Sequence, residues 1–320
     1  MSAFPFSFAT APPPAVAIEI AALRVSAAIL EVRGGRPAIA AHALEPLPAG
    51  ALVPSLTGRN ALDRATVVTA VNRVLERLGR PRRVGLVVPD PVAKVSLIRF
   101  EHVPARTADL DQLIRWQVRK AAPFPLEDAQ VGYVPGSGGA DGQEFIVTVA
   151  RRDVVQEYEE LCADAGARAG LVDISTFNVV NAVLGGSAPP AADWLLVNVA
   201  GDCASIAILR GPHLIFFRSR SADADGTLED LVHQTAMYYE DRLKGGGFTR
   251  VLLCGASTAA ALQTADAELI RRSLEERLAT AVETVDIRDA ATLTDRIMAA
   301  PVLLDALAPL VGLLLRGYGD

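Results

Sequence analysis

The chain has 320 residues, of which 51% are hydrophobic, and its formal net charge is -6 at pH 7. A chain of this length and apolar content is too large for one small domain and predicts two lobes or one large bilobed fold. The acidic balance argues against nucleic acid as the main partner.

Cysteine and histidine are too scarce and too dispersed to predict a metal site. The 3 cysteines form no CxxC pair, and the 4 histidines form no HxxxH or HExxH motif. Neither a disulfide framework nor bound zinc is therefore expected. Each cysteine is interpreted as a small buried apolar residue of a reduced, cytosolic protein. The three are Cys162, Cys203 and Cys254.

Residues 1–14 are predicted to form a disordered tail. The stretch MSAFPFSFATAPPP has no basic start and its apolar run is interrupted by proline, so it is not interpreted as a signal peptide. No run reaches the ~18 uninterrupted apolar residues of a membrane span, and direct membrane insertion is not expected. The nearest run, residues 301–315, contains Asp305 and predicts a buried amphipathic helix.

The first structural unit, residues 15–91, begins with three predicted strands. Their apolar runs are separated by turns rich in glycine and proline, which is typical of hairpins; the runs are AVAIEIA, RVSAAILEV and, after the turn RGGRP, AIAAHAL. A helix is predicted over residues 62–78, where apolar residues recur on one face. The buried strand RVGLVVP follows, and after such a crossover it can only return parallel.

Residues 92–152 are predicted to form a small inserted α+β subdomain. They contain a strand over 95–103, a helix over 108–121 and a hairpin around a glycine-rich turn. The helix and the turn after it carry aromatic and cationic candidates for binding a partner peptide, which are Arg115, Trp116, Arg119, Phe124 and Pro125. In one interpretation they form the apolar floor and cationic rim of a peptide groove. In the other, Trp116 packs in the subdomain's own core and the cations are solvated.

The second half of the chain repeats the pattern of the first. The runs WLLVNVA, CASIAILR and HLIFFRSR precede a helix over residues 228–243 and the strand RVLLCGA. Both halves therefore read β-β-β-α-β, which predicts two similar lobes with a cleft between them. This is the duplicated, ribonuclease H-type α/β architecture of the actin, sugar-kinase and Hsp70 superfamily. The predicted first lobe comprises residues 15–91, 153–190 and 302–320, and the second comprises residues 191–301.

Three further segments resemble the PilM family of type IV pilus assembly proteins. They are the turn APFPLE at residues 122–127, the run GLVDISTFNVVNAV with Asp173, and the closing helix LAPLVGLLLRG. The resemblance implies an actin-like protein related to the cell-division protein FtsA. It also implies a cytoplasmic protein, peripheral at the inner membrane, that binds the N-terminal cytoplasmic peptide of the membrane protein PilN. The resemblance further implies that the protein helps to build the pilus alignment platform with other platform proteins. It is compatible with both a monomer and a homo-oligomer.

Actin-like proteins hold Mg-ATP between one hairpin of each lobe, because small turn residues let backbone N–H groups approach the phosphates and acidic residues orient the hydrated cation. Where the family reads D-I-G-S-S-S-V-K, D-I-G-A-S-T-T and S-G-G-G, this chain reads EIAALRVS, NVAGDCA and CGAS. The matching candidates for a degenerate nucleotide site are Glu19, Ala21, Arg24, Asn198, Gly201, Asp202 and Gly255. Since all three motifs have fewer glycines or hydroxyls than the family pattern, tight binding of ATP and Mg²⁺ is not predicted. One interpretation of Arg24 is a contact to a phosphate; the favoured interpretation is a solvated turn residue.

The leading hypothesis is a non-catalytic scaffold that clamps a PilN-type peptide between the first lobe and the inserted subdomain. The first alternative is an active actin-fold ATPase or sugar kinase, for which Asp202 is the only candidate carboxylate at the second hairpin. The second alternative is the cytoplasmic platform protein of a type II secretion-like system. Those proteins usually continue into a membrane span, whereas this chain ends at Asp320.

Overall fold

The computed structural model describes residues 14–201, 203–221, 227–262, 266–294 and 297–316. Residues 1–13 of the predicted tail lie outside these ranges. The strands are β1 (Val16–Ala21), β2 (Arg24–Arg33), β3 (Arg36–Pro46), β4 (Arg83–Val88), β5 (Ala93–Phe100), β6 (Ala129–Gly139), β7 (Gly142–Arg151), β8 (Arg168–Ile174), β9 (Asp193–Ala200), β10 (Cys203–Arg210), β11 (His213–Ser221), β12 (Arg250–Cys254), β13 (Val282–Thr284) and β14 (Thr292–Leu293). The α-helices are α1 (Arg64–Arg77), α2 (Thr107–Val118), α3 (Arg152–Asp164), α4 (Ser175–Gly186), α5 (Leu228–Leu243), α6 (Ala256–Ala261), α7 (Ala267–Leu278) and α8 (Pro301–Leu315).

The first sheet combines an antiparallel meander with parallel strands. Its order is β14-β3-β2-β1-β4-β8. The strands β1, β2 and β3 pair antiparallel, whereas β4 pairs parallel to β1 and β8 parallel to β4. Two helix pairs, α1 with α3 and α4 with α8, pack on this sheet. Because helices cover it, β1 is buried along its whole length.

The second sheet repeats the strand order of the first. Its order is β11-β10-β9-β12-β13, which matches β3-β2-β1-β4-β8 strand for strand. Alternate residues of β9 face different cores: Trp194 and Leu196 join the core shared with the first sheet, and Leu195 and Val197 join the core under α5 and α7. The predicted duplication is confirmed. Each unit has a fifth strand that the sequence pattern did not predict, because Gly170 interrupts the apolar run of β8 and β13 has only 3 residues.

The segment between β4 and α3 folds as a separate antiparallel sheet, which we call the inserted sheet. Its order is β5-β7-β6, and α2 packs on it through a small core that includes Ile98, Ile114, Val118, Phe145 and Val147. The strand, helix and hairpin predicted for this segment are confirmed. The inserted sheet and the first sheet therefore each end in an outer strand, β6 in one case and β8 in the other.

The last helix, α8, is buried rather than amphipathic. Every residue from Asp305 to Leu315 is buried, and α8 packs against α4 and the first sheet. The two helices cross at Gly312, where a Cβ atom would lie 1.6 Å from the carbonyl oxygen of Asn178. Across the described ranges, no helix is long and apolar enough to cross a membrane. The three cysteines are buried, as predicted.

Candidate functional site

The turns of the two hairpins meet in the cleft between the two main sheets. Gly201, in the β9–β10 turn, has left-handed backbone with a φ of 65°. A Cβ atom on Gly201 would lie 3.5 Å from Leu23 Cδ1 and 3.7 Å from Ala22 Cβ, both in the β1–β2 turn. The turns therefore approach each other through apolar side chains. Asp202, the candidate carboxylate of the second turn, lies outside the described residues.

Glu19, on β1, forms a buried ion pair with Arg24. Arg24 Nη2 lies 2.7 Å from Glu19 Oε2, and the two side chains are 8% and 3% exposed. The other carboxylate oxygen accepts a hydrogen bond of 3.0 Å from the hydroxyl of Ser175, the first residue of α4. The prediction that Arg24 is a solvated turn residue is therefore wrong. Its guanidinium turns inward because Glu19 compensates a charge that would otherwise be costly to bury.

A second buried network connects the two main sheets. Asp90, two residues after β4, accepts hydrogen bonds from the backbone N–H of Thr176 at 2.9 Å and from the hydroxyl of Ser205 at 2.7 Å. The Thr176 hydroxyl also donates to Asp90 and accepts a hydrogen bond of 2.9 Å from the amide of Asn198. All four residues are buried. Burial raises the pKa of Asp90, against the opposite effect of the hydrogen bonds from Thr176 and Ser205.

Sequence reasoning named Asn198 but missed the other members of this network. One signal was present for Asp90, which lies two residues after the end of a buried parallel strand. In α/β folds, polar residues at the carboxyl ends of such strands face the cleft. Thr176 and Ser205 carried no comparable signal, because a hydroxyl residue in a buried run has many ordinary structural roles.

Gly255, from the third motif, precedes α6 and makes a close backbone contact. Its φ is 84°, and a Cβ atom there would lie 1.8 Å from the carbonyl oxygen of Val199, so only glycine fits. The backbone N–H groups of Ser257 and Thr258 donate to one oxygen of Asp305, at 2.8 Å and 3.3 Å. Asp305 belongs to α8 and is buried, and burial raises its pKa against the effect of these backbone hydrogen bonds. A carboxylate of the chain itself thus caps α6.

The described candidates for the nucleotide site all lie around this cleft, at the hairpin turns or at the start of α6. They are Glu19, Ala21, Arg24, Asn198, Gly201 and Gly255. Their carboxylate and guanidinium are paired with each other rather than directed at open space. Over the described part of the chain, no group of three or more histidine, cysteine or acidic side chains is arranged to hold a metal ion.

A groove of about 340 Å³ lies between the inserted sheet and the first sheet. Its walls are the two outer strands: β6 contributes residues 130–132 and β8 contributes residues 169–174. Among the described residues each of these strands is paired on one side only, so both present unpaired backbone groups along an edge of their sheet. Thr148 of β7 also lines the groove, and its hydroxyl oxygen is buried with no hydrogen-bond partner among the described residues. An orphan hydroxyl of this kind indicates a polar group of a ligand, or an ordered water.

Two acidic residues complete the groove lining. Asp173, at the carboxyl end of β8, lies 2.6 Å from Arg316 Nη1, and both side chains are 2% exposed. Burial raises the pKa of Asp173 to about 6, although Arg316 acts in the opposite direction. This ion pair anchors the end of α8 to the groove wall. Glu159 of α3 also lines the groove, and partial burial raises the pKa of its carboxyl.

The five predicted partner-binding residues lie on α2 and the following turn, and none of them lines this groove. Trp116 is 67% exposed, so the interpretation that it packs in the core of the inserted segment is wrong. The helical phase explains this, because Ile114 and Val118 face the inserted sheet and Trp116 consequently points away. Phe124 packs against that core instead, and Arg115 forms an ion pair within its own helix. A role of these residues in partner binding stays a prediction.

The two main sheets share the same order over five strands, and one hairpin from each sheet meets the other in the cleft between them. This arrangement defines an actin-like α/β protein. The inserted sheet and the groove beside it are additions to that plan. The chain belongs to the PilM family, since the family model for type IV pilus assembly protein PilM matches residues 17–244.

The chain is also similar to solved structures. The chain matches the PilM-PilN type IV pilus biogenesis complex with a TM-score of 0.79 and 18% identity, over 96% of this chain and 99% of the other. A protein with an actin-like ATPase fold from Bacteroides thetaiotaomicron matches with a TM-score of 0.49 and 12% identity, over 84% and 90% of the two chains. The cytoplasmic domain of EpsL, an inner membrane component of the type II secretion system of Vibrio cholerae, matches with a TM-score of 0.47 and 10% identity, over 74% and 80%. Of these three, the first is close enough to show a shared fold.

Proposed function

We propose that this protein is a cytoplasmic scaffold of the type IV pilus assembly platform, peripheral at the inner membrane, that binds the N-terminal cytoplasmic peptide of a PilN-type protein. The groove between β6 and β8 is the observation that carries the proposal. Membership of the PilM family and the similarity to a structure described as a PilM-PilN complex support it. A scaffold of this kind requires no catalytic step.

Strand addition is the binding mode that this groove favours. The walls are outer strands that the described residues pair on one side only, so an extended peptide can exchange backbone hydrogen bonds with either of them. Backbone bonds of this kind supply affinity without depending on the peptide sequence. They also cover the unpaired edges of β6 and β8, which would otherwise be sites of unwanted strand pairing.

The side chains of the groove indicate which peptide sequences fit. The lining includes apolar residues, among them Val88, Val92, Val131, Leu171 and Val172. These favour apolar side chains at alternate positions of an extended peptide. The hydroxyl of Thr148, which lacks a partner among the described residues, favours a peptide with a hydroxyl, amide or carbonyl group opposite it. Glu159 favours a basic peptide residue nearby.

Calorimetric titration with a synthetic PilN-type N-terminal peptide tests the proposal. Gln130 lines the groove and is itself exposed, so Gln130→Trp fills the groove without disturbing a core. We expect this variant to bind at least about tenfold more weakly than the wild type, because a central steric block removes well-packed contacts. The smaller change Thr148→Val should weaken binding by about threefold to tenfold through the loss of one hydrogen bond.

The matched control is Gln117→Trp, which makes the same substitution at an exposed position of α2, away from the groove lining. We expect it to bind the peptide as the wild type does. Trp116→Ala tests the other predicted partner surface. If Trp116→Ala abolishes binding and Gln130→Trp does not, the peptide binds at α2 and the groove assignment is wrong. Absence of wild-type binding at high micromolar peptide would overturn the proposed function itself.

A further inference from the structure

We infer that side chains of this protein occupy its own nucleotide site. Leu23 lies where an actin-like protein binds phosphates, Arg24 lies where it binds a divalent cation, and Asp305 lies where it binds the nucleoside side of the ligand. The cleft is then held together by side chains, and its arrangement does not depend on ATP. This inference concerns the cleft between the main sheets and does not rest on peptide binding in the groove.

The first observation is the contact between the hairpin turns. The space between Leu23 and Gly201 accommodates one carbon atom at ordinary contact distance, since a Cβ atom on Gly201 would lie 3.5 Å from Leu23 Cδ1. A phosphate group, with oxygens around its phosphorus, needs more room than one carbon. It also needs converging N–H donors, whereas the groups that meet here are the side chains of Leu23 and Ala22.

The second observation is the charge arrangement on the first hairpin. An acidic residue at Glu19 would hold a hydrated Mg²⁺ only if its oxygens faced water. Here one oxygen is bound by Arg24 and the other by the hydroxyl of Ser175. The guanidinium of Arg24 therefore neutralises Glu19 in place of a metal cation. On the second hairpin the corresponding residue is Asn198, an uncharged amide that donates to Thr176.

The third observation is the capped start of α6. In the phosphate- and nucleoside-binding motifs of this fold, the glycine-rich turn leaves backbone N–H groups available to a ligand. Here the N–H groups of Ser257 and Thr258 already donate to Asp305. The carboxyl group of Asp305 occupies these donors, and in its ionised form it repels the negative charge of a nucleotide. Asp305 belongs to α8, and it lies 47 residues after Thr258 in the chain.

The buried network completes the substitution. Asp90 follows β4 of the first sheet, and Thr176 lies in α4, which follows β8 of that sheet. Asn198 and Ser205 lie on β9 and β10 of the second sheet. Direct hydrogen bonds of 2.7 Å and 2.9 Å thus join the two sides of the cleft without an intervening ligand. Among the residues that the structure describes around the cleft, Leu23 fills the space between the turns, Arg24 pairs with the acidic side chain of the first hairpin, and Asp305 binds the N–H donors of α6. These described residues do not fit Mg-ATP in this arrangement.

Hydrogen–deuterium exchange of the wild-type protein with and without 1 mM Mg-ATP tests the inference directly. We expect unchanged exchange in residues 19–26 and 254–258 and an unchanged melting temperature. Protection of either segment, or a clear rise of the melting temperature, would overturn the inference, because it would show that the cleft accepts the nucleotide.

A gain-of-binding variant provides the converse test. The triple variant Glu19→Asp, Leu23→Ser and Arg24→Ser returns the first hairpin towards the family pattern. We expect 1 mM Mg-ATP to raise its melting temperature by about 5 °C, as a ligand at about 100 times its Kd would. The control variant Leu23→Val keeps an apolar side chain and should not respond. A folded triple variant that ignores Mg-ATP would show that these side chains are not what excludes the nucleotide; if the triple variant does not fold, the wild-type exchange experiment decides.

Discussion

At the scale of single residues, buried charge is the feature that most constrains this protein. Four carboxylates of the described residues are buried close to the cleft or the groove, and each is satisfied by partners from the same chain: Glu19 by Arg24, Asp90 by Thr176 and Ser205, Asp173 by Arg316, and Asp305 by backbone N–H groups. Removing one partner of a buried pair leaves the other uncompensated, and this costs more than the pair contributes when intact.

Replacing Glu19 by glutamine should lower the free energy of unfolding by about 3–5 kcal/mol, because Arg24 would remain buried without a counter-charge. Urea denaturation followed by circular dichroism measures the change. The control is Glu31→Gln, which breaks an ion pair whose side chains are 58% and 51% exposed. Its expected effect is at most about 0.5 kcal/mol. If the two substitutions had equal effects, the buried pair would not be a structural element of the hairpin.

At the scale of secondary-structure elements, the crossing of α4 and α8 determines much of the architecture. The start of α4 supplies Ser175 to Glu19 and Thr176 to Asp90, while α8 supplies Asp305 to α6 and is followed by Arg316, which pairs with Asp173. The two helices therefore carry side chains to the cleft and to the groove wall. Their close approach depends on the glycine at their crossing.

Replacing Gly312 by alanine should destabilise the protein by about 3 kcal/mol or more, since the new Cβ atom would lie 1.6 Å from the carbonyl oxygen of Asn178 and the helices must separate. Thermal denaturation measures this as a lower melting temperature. Gly246→Ala is the matched control, because no atom lies within 4 Å of a Cβ atom at that position; we expect a change within about 0.5 kcal/mol. An unchanged melting temperature for Gly312→Ala would mean that the helices do not pack as described.

At the scale of the whole molecule, the two main sheets share one hydrophobic core. Trp194, Leu196 and Leu209 of the second sheet belong to the same buried cluster as β1 and β4. The Asp90 network adds hydrogen bonds across the same boundary. Lobes that share a core and a buried polar network are expected to unfold together, because separating them would expose apolar surface and leave polar groups without partners.

Calorimetry of the wild type should therefore show a single unfolding transition. Asp90→Asn replaces one hydrogen-bond acceptor by a donor that faces the donors Thr176 and Ser205, so it should cost about 1–3 kcal/mol and lower the melting temperature by about 2–8 °C. Hydrogen exchange in β10 and at the start of α4 should become faster. Asp241→Asn, at an exposed position of α5, serves as the control and should change nothing measurable. Two separate transitions in the wild type would show that the lobes are not coupled.

Part of this architecture is encoded locally, and that part could be predicted from the sequence. These local properties are the alternation in AVAIEIA, the apolar run WLLVNVA, the turns with glycine and the helical spacing after each meander. They predicted the repeated unit, the inserted segment and the hairpin motifs. The strands β8 and β13 were missed because one is interrupted by Gly170 and the other has only 3 residues, so their assignment depends on a neighbouring strand rather than on their own pattern.

The sequence by itself determined three things: the duplicated actin-like fold, the resemblance to the PilM family, and the altered residues of the two hairpins. These follow from the order of residues over short distances. Only the tertiary structure decided how the side chains pair. The bond from Ser205 to Asp90 spans 115 residues and that from Ser257 to Asp305 spans 48. Arg24 and Trp116 show the same limit: whether a side chain is buried depends on what the fold brings beside it, and for these two residues that was a carboxylate in one case and solvent in the other.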